Sequence, residues 1–234
     1  MKRFSLIFAL LLVISSCKTL QDIANNLPQG GALSQAEIGN GLRAALDQGI
    51  DKEVTKLMQK DGFYRNEAVK ILLPDELQKV DKGLRKIGLS SIADEGLKLL
   101  NRAAEDATKE ALPIFTNAVK EITFNDAKNI LLGDDRAATS YLEAKTTEEL
   151  RAKFSPVIQN NLGKVGATDL WSNAITKYNS LPLTDDVNPD LTQYVTEKAL
   201  EGVFKMIAQE ELQIRNKVSS RSTDLLKRVF ALQD

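Results

Sequence analysis

From Ser34 to Phe230 the apolar side chains recur at intervals of three and four residues, the spacing of one face of an α-helix. Ser34-Gln35-Ala36-Glu37 is a capping-box pattern. Leu42, Ala45, Leu46, Gly49, Ile50, Val54, Leu57 and Met58 follow on one face until Asp61-Gly62 stops them. Pro74 disfavours helix at the residue before it, so Ile71-Leu72-Leu73 is expected to be extended. A helix should restart after Pro74, with Leu77, Val80, Leu84 and Ile87 inward and Gly88 at its end. From Ser91 the longest stripe runs through Ala103, Ala104, Ala107 and Ala111 to Ile122. Pro113 within it either kinks one helix or sits in the first turn of a second. The small side chains of this stripe allow close approach by other helices and suggest a central element.

Thr123 to Asp126 caps a short helix that Gly133 closes. Asp134 and Asp135 are expected to cap the next one. Thr146-Thr147-Glu148-Glu149 is a second capping box, leading to Leu150, Phe154, Ile158 and Leu162. Thr168 to Tyr178 carries Leu170, Trp171, Ala174 and Ile175 at core spacing, and Ser180 to Pro189 reads as a surface loop. Leu191 to about Asn216 is a long helix, and Ser222 caps a last one with Leu225, Leu226, Val229 and Phe230 inward. No period-2 run of β-branched residues predicts a sheet, and no fixed repeat predicts a solenoid. The expectation is an all-α fold: a single multi-helix domain over residues 34–234.

Composition narrows the chemistry. The chain has 234 residues, no His and one Cys. Without His, Ser-His-Asp and Cys-His nucleophile systems and the usual zinc sites are excluded. One Cys excludes disulfides within the chain and thiolate-rich metal sites. Lys and Arg number 31 against 32 Asp and Glu, so nothing suggests the basic face of a nucleic-acid binder. No phosphate-binding loop, nucleophile elbow or calcium-loop motif is present. No catalytic residue, metal or cofactor is expected.

The first residues set the location. Lys2 and Arg3 precede an apolar run from Phe4 to Ile14, too short to span a bilayer but suited to a signal peptide. The run ends in Ile14-Ser15-Ser16-Cys17, the form of a bacterial lipobox, with the only Cys of the chain where a diacylglyceryl group would be added. Residues 1–16 then form a lipoprotein signal peptide, and 17–33 a lipidated Cys17 with its tether. Asn25-Asn26, Leu27-Pro28 and Gly30-Gly31 break regular structure in that tether, which reaches about 50 Å when extended. A stable anchor needs two or more lipid chains. Lys18 stands where an Asp would signal inner-membrane retention, so the periplasmic face of an outer membrane is expected, with surface exposure as the alternative.

Polar residues on the apolar stripes are the candidate site. Beyond Tyr194, Val195, Ala199, Val203, Met206 and Ile207, the period lands on Glu210 and Glu211, with Arg215 four residues after Glu211. In the Ala-rich stripe Asn101, Arg102 and Glu105 intrude in the same way. These residues form either a ligand-recognising cluster or a buried ion-pair network that fixes how two helices cross. Paired carboxylates would also suit acid–base work on a glycoside-like bond. Asp61-Gly62-Phe63-Tyr64 reads as a turn with two aromatic anchors, with a binding lip as the alternative.

Several stretches resemble the bacterial family known as domain of unknown function 4197. They include Gly41-Leu42-x-x-Ala45-Leu46-x-x-Gly49, Asp61-Gly62-Phe63, Leu73-Pro74, Leu100 to Glu105 and Asp126 to Gly133. Ala137-Ala138-Thr139, Asn188 to Val195, Glu210-Glu211-x-x-Ile214-Arg215 and Asp224 to Phe230 continue the resemblance, which covers nearly everything after the tether. It implies a mainly helical protein, secreted or lipid-anchored, and supplies no activity or catalytic residue. The expected function is a non-enzymatic binding or scaffolding module of the cell envelope. Its partners would be the membrane, through Cys17, and an envelope protein. The alternatives are a carrier of a small or lipidic ligand between helices and a carboxylate-dependent hydrolase.

Overall fold

The computed structural model describes residues 33–73, 78, 90–164, 166–180 and 190–233. Among them the regular structure is helical: α1 (Gln35–Leu57), α2 (Ser90–Thr108), α3 (Ala111–Lys120), α4 (Phe124–Leu131), α5 (Ala137–Gly163), α6 (Ala167–Asn179), α7 (Leu191–Asn216), a 3-10 turn (Val218–Ser220) and α8 (Asp224–Phe230). No strand occurs among the described residues. Residues Gln35–Asp234 make one compact unit. The expected signal peptide and residues 17–32 of the expected tether, the helix expected after Pro74, the loop expected after Ser180 and the side chain of Trp171 lie outside the described residues.

Helix α7 is the axis of this unit. It packs on α5, α1 and α2, and buries Val195, Ala199, Val203, Phe204, Ile207 and Ile214 among others. The Ala-rich helix α2 packs on α5 and α7, with Ala103, Ala104 and Ala107 fully enclosed, as its narrow face suggested. Phe115 of α3 meets Phe204 of α7 edge to face, with centroids 5.8 Å apart. Burial of these side chains is the main stabilising term, at roughly 1.5–3 kcal/mol for each large one.

Several boundaries differ from the pattern. Pro113 takes the option of a new helix: it is the third residue of α3, where its missing N–H costs no helical bond. Thr146 and Thr147 do not open a helix, because α5 runs through them. Their hydroxyls donate to the carbonyls of Leu142 and Glu143 one turn back, so the capping oxygens are used inside the helix. The last helix is capped by Thr223, whose Oγ1 accepts from the N–H of Leu226, and not by Ser222. Asp134 accepts from Arg136 N–H, while the residue preceding α5, Arg136, has no side-chain cap. The cap of α5 comes from another helix.

Candidate functional site

Glu211 of α7 supplies that cap. Its Oε1 accepts from the N–H of Ala138 at 2.9 Å, and its Oε2 from the N–H and the hydroxyl of Thr139 at 2.8 and 2.7 Å. One turn later, Arg215 donates to Glu211 Oε1 from Nε and Nη2 at 3.0 and 2.8 Å. The same guanidinium donates to the carbonyls of Ile130 and Leu131 at 2.8 and 3.2 Å, the last turn of α4. The pair therefore sets a negative charge on the start of α5 and a positive charge on the end of α4, each opposite to the local helix dipole. Both residues are at least nine-tenths buried. The spacing of four in the sequence is an ion pair as expected, but it also bridges two helix ends.

Arg221, also buried, closes α7 in the same manner. It donates to the carbonyls of Ile214 and Arg215 at 3.0 and 2.8 Å and lies over the ring of Phe230. The residues flanking the gap between α4 and α5 thus have their polar groups met by side chains, as buried backbone requires.

Asn101, Arg102 and Glu105 act on a segment without regular structure. Asn101 accepts from Ile71 N–H at 2.8 Å and donates to Ile71 C=O at 2.9 Å, pairing with the extended residue as a neighbouring strand would. Its second amide hydrogen goes to Leu97 C=O at 2.7 Å. Glu105 Oε1 accepts from the N–H groups of Phe63 and Tyr64 at 3.1 and 3.3 Å, and Oε2 pairs with Arg102. Arg102 reaches on to Asp61 at 2.6 Å. Burial works against the Arg102 charge, but bonding to Glu105 and Asp61 outweighs it and raises its pKa above the ordinary arginine value.

This group holds a tight turn. Asp61 has φ +71°, and a Cβ on Gly62 would lie 2.3 Å from the carbonyl oxygen of Lys56. Phe63 is fully buried against α7, where Gly202 leaves room: a Cβ there would stand 2.7 Å from the Phe63 ring. Tyr64 stays partly exposed beneath Lys70, whose ammonium is 4.8 Å from the ring centre.

The six candidates do not form one cleft. Among the described residues, no hydrogen bond or ion pair joins Asn101, Arg102 and Glu105 to Glu210, Glu211 and Arg215. Glu210 belongs to neither group, because its carboxylate takes Lys52 of α1. Lys52 also lies 3.8 Å from Glu53, and Lys56 is 2.6 Å from the same Glu53 oxygen. Glu53 is 3% exposed, and its other oxygen is buried without a partner. Pattern reasoning passed over Glu53, although it sits eleven residues after Leu42, in step with the stripe. Asp61 lies in the expected turn, but its pairing with Arg102 is set by the tertiary fold, and Arg221 was not singled out because its acceptors are backbone carbonyls six and seven residues back.

Open space lies elsewhere. A groove of about 340 Å³ runs between Ala68–Leu73 and the first half of α7, with Tyr194, Lys198 and Lys205 on its wall. Tyr194 donates to Leu72 C=O, and Lys205 to Ala68 C=O, so the extended segment is fastened to α7 from both sides. Where α1, α5, α7 and α8 meet, a small recess of about 20 Å³ is lined by Leu42, Gly49, Ile207 and Phe230. No group of three or more acidic or Cys side chains suited to a metal occurs among the described residues.

A family model described as "Protein of unknown function (DUF4197)" matches residues 32–231, nearly all of the chain, and the protein belongs to that family. No curated protein and no solved structure matches it.

Proposed function

We propose that this family member is a lipid-anchored protein of the cell envelope, held through Cys17 on the periplasmic face of the outer membrane, and that it acts by binding, not by catalysis. The observation that carries this reading is the state of the carboxylates. Glu105 and Glu210 are 3% and 5% exposed and are engaged by Arg102 and Lys52, so neither can meet a substrate proton at hydrogen-bond distance. The filled core supports the same view. Where α1, α5, α7 and α8 meet, a space of about 20 Å³ is far below the roughly 300–1,000 Å³ of a small-molecule pocket, so that crossing offers a carrier no cavity. The groove beside α7 carries Lys70, Lys198 and Lys205, with Glu201 paired to Lys198 and Leu72 half exposed at its edge. Its chemistry suits an acidic and apolar segment of an envelope protein.

Three measurements test the reading. Mass spectrometry of the mature N-terminus should find Cys17 carrying a diacylglyceryl group; an unmodified Cys17 sinks the anchor. Native mass spectrometry on gently extracted protein should show no reproducible small-molecule adduct, and such an adduct would favour a carrier. In-cell crosslinking should fall at least several-fold in a Lys198→Glu, Lys205→Glu variant of unchanged melting temperature. Unchanged crosslinking would remove the groove from the account.

A further inference from the structure

Ile71 and Leu72 turn their backbone groups to opposite sides. Ile71 gives both its N–H and its C=O to Asn101 of α2, at 2.8 and 2.9 Å. Leu72 C=O instead takes the hydroxyl of Tyr194 on α7, at 2.6 Å. This is the alternation of an extended chain, in which the N–H and C=O of one residue share a side and those of the next take the other. It sets the N–H of Leu72, and the C=O of Lys70 two residues earlier, on the α7 side, where both residues line the groove. Neither group makes a hydrogen bond among the described residues. Unpaired backbone groups along an open edge are a template for another strand.

Both ends of this edge are held by α7. Tyr194 bonds Leu72 C=O at one end, and the Lys205 ammonium bonds Ala68 C=O at the other, at 2.8 Å. The two helix positions stand about 17 Å apart at 1.5 Å per residue, the length of about five extended residues. Lys198, Glu201 and Gly202 line the groove between them. Charge selects the occupant. Lys198 is met by Glu201 at 2.7 Å. Lys70 and Lys205 have no carboxylate within ion-pair distance among the described residues. Lys70 instead lies over the Tyr64 ring, which Lys98 also approaches at 5.8 Å. The groove thus carries an excess of positive charge beside the half-exposed Leu72.

We propose that the groove takes its partner as an extended strand: an acidic peptide segment laid along residues 70–72. Its backbone N–H donates to Lys70 C=O, its C=O accepts from Leu72 N–H, and a carboxylate stands beside Lys70 or Lys205. The inference rests on the reading of the groove as a docking site for an envelope protein and adds how the segment is held. Backbone pairing supplies affinity without a fixed sequence, and the lysines favour acidic segments. A helix in the groove would satisfy its own backbone and leave both open groups unpaired. The ladder is short, because Tyr194 already occupies the next acceptor. Two backbone bonds and a charge pair make a weak, exchangeable complex.

Amide exchange read residue by residue by NMR, on the full mature chain in detergent micelles, tests the pairing. In the free protein Leu72 N–H should exchange at least several-fold faster than Ile71 N–H. Slow exchange at Leu72 overturns the proposal, because the edge is then already paired. The probe is a blocked five-residue peptide of alternating glutamate and valine at millimolar concentration. It should slow Leu72 exchange several-fold. A lysine–valine peptide, and the acidic peptide N-methylated throughout, should leave that rate unchanged. No slowing by the acidic peptide overturns the strand. Shift changes at Lys70 and Lys205 that persist with the N-methylated peptide, with Leu72 still open, overturn it in favour of contact by charge alone. In-cell crosslinking that still depends on Lys198 and Lys205 while the peptide fails removes only the strand. Crosslinking indifferent to both lysines removes the groove, and this inference with it.

Discussion

The Glu211–Arg215 pair and the Asn101–Arg102–Glu105 group are built from similar residues, and both lie on apolar stripes, yet they solve different problems. The first joins regular elements. It links α7 to the end of α4 and the start of α5, where unpaired backbone groups carry helix-dipole charge. The second replaces regular structure. It gives backbone partners to Phe63, Tyr64 and Ile71, which have no helix or sheet to pair them. A polar residue on a helical stripe thus announces a burial problem that lies next to the helix, and its partner's local structure decides what the residue does.

The comparison makes the two regions fail differently. Glu211→Gln should have the largest effect, about 3–5 kcal/mol, because it leaves the Arg215 charge buried and loosens the start of α5. Urea unfolding should show it as a global loss. Asn101→Ala removes both partners of Ile71 and should cost about 2–3 kcal/mol. Its signature is local: faster amide exchange over residues 61–73, with α4 and α5 still protected. If exchange rises equally across the molecule, the distinction between the regions is wrong.

Glycines sharpen the contrast at smaller scale. Gly62→Ala drives a Cβ into the carbonyls of Lys56 and Leu57, at 2.3 and 2.5 Å, and neither backbone atom can yield cheaply. A loss of about 1–3 kcal/mol is expected in thermal melts. Gly96→Ala, inside α2 with nothing within 4 Å of the new Cβ, should instead stabilise by about 0.5–1 kcal/mol.

The smallest effect is a pH dependence at the start of α4. Bonds from the Thr123 backbone and hydroxyl hold the Asp126 carboxyl below the usual carboxylate range. A folded pKa below the unfolded one stabilises above the unfolded value and is lost as pH falls through the folded one. Asp126→Asn should therefore shrink the difference in melting temperature between neutral and acid pH, and an unchanged difference would remove this contribution.

Much of this architecture was readable in order along the chain. The stripe of α7 ends where the helix ends, and Pro113 marked a helix start as one of its two options. Local signals misled where they were satisfied locally in another way: the Thr146 and Thr147 hydroxyls bond within α5 and open nothing. The cap of α5 was not legible, because Glu211 lies 72 residues from Thr139 and only packing brings them together. The candidate residues were located by pattern, but their separation into groups required the packing of α7 against α1, α2 and α5. Glu53 was within reach of the same periodic reasoning, and its charge hid it among solvated neighbours.

The central claim is that the polar residues on the stripes organise the fold. A double-mutant cycle on Glu211→Gln and Arg215→Met, read by urea unfolding, addresses it most directly. Each single variant should be strongly destabilised, and the double variant should lose clearly less than the two combined, with a coupling of about 1–3 kcal/mol. Small, additive losses within about 0.5 kcal/mol would contradict the account and return these residues to the list of candidates for a ligand site.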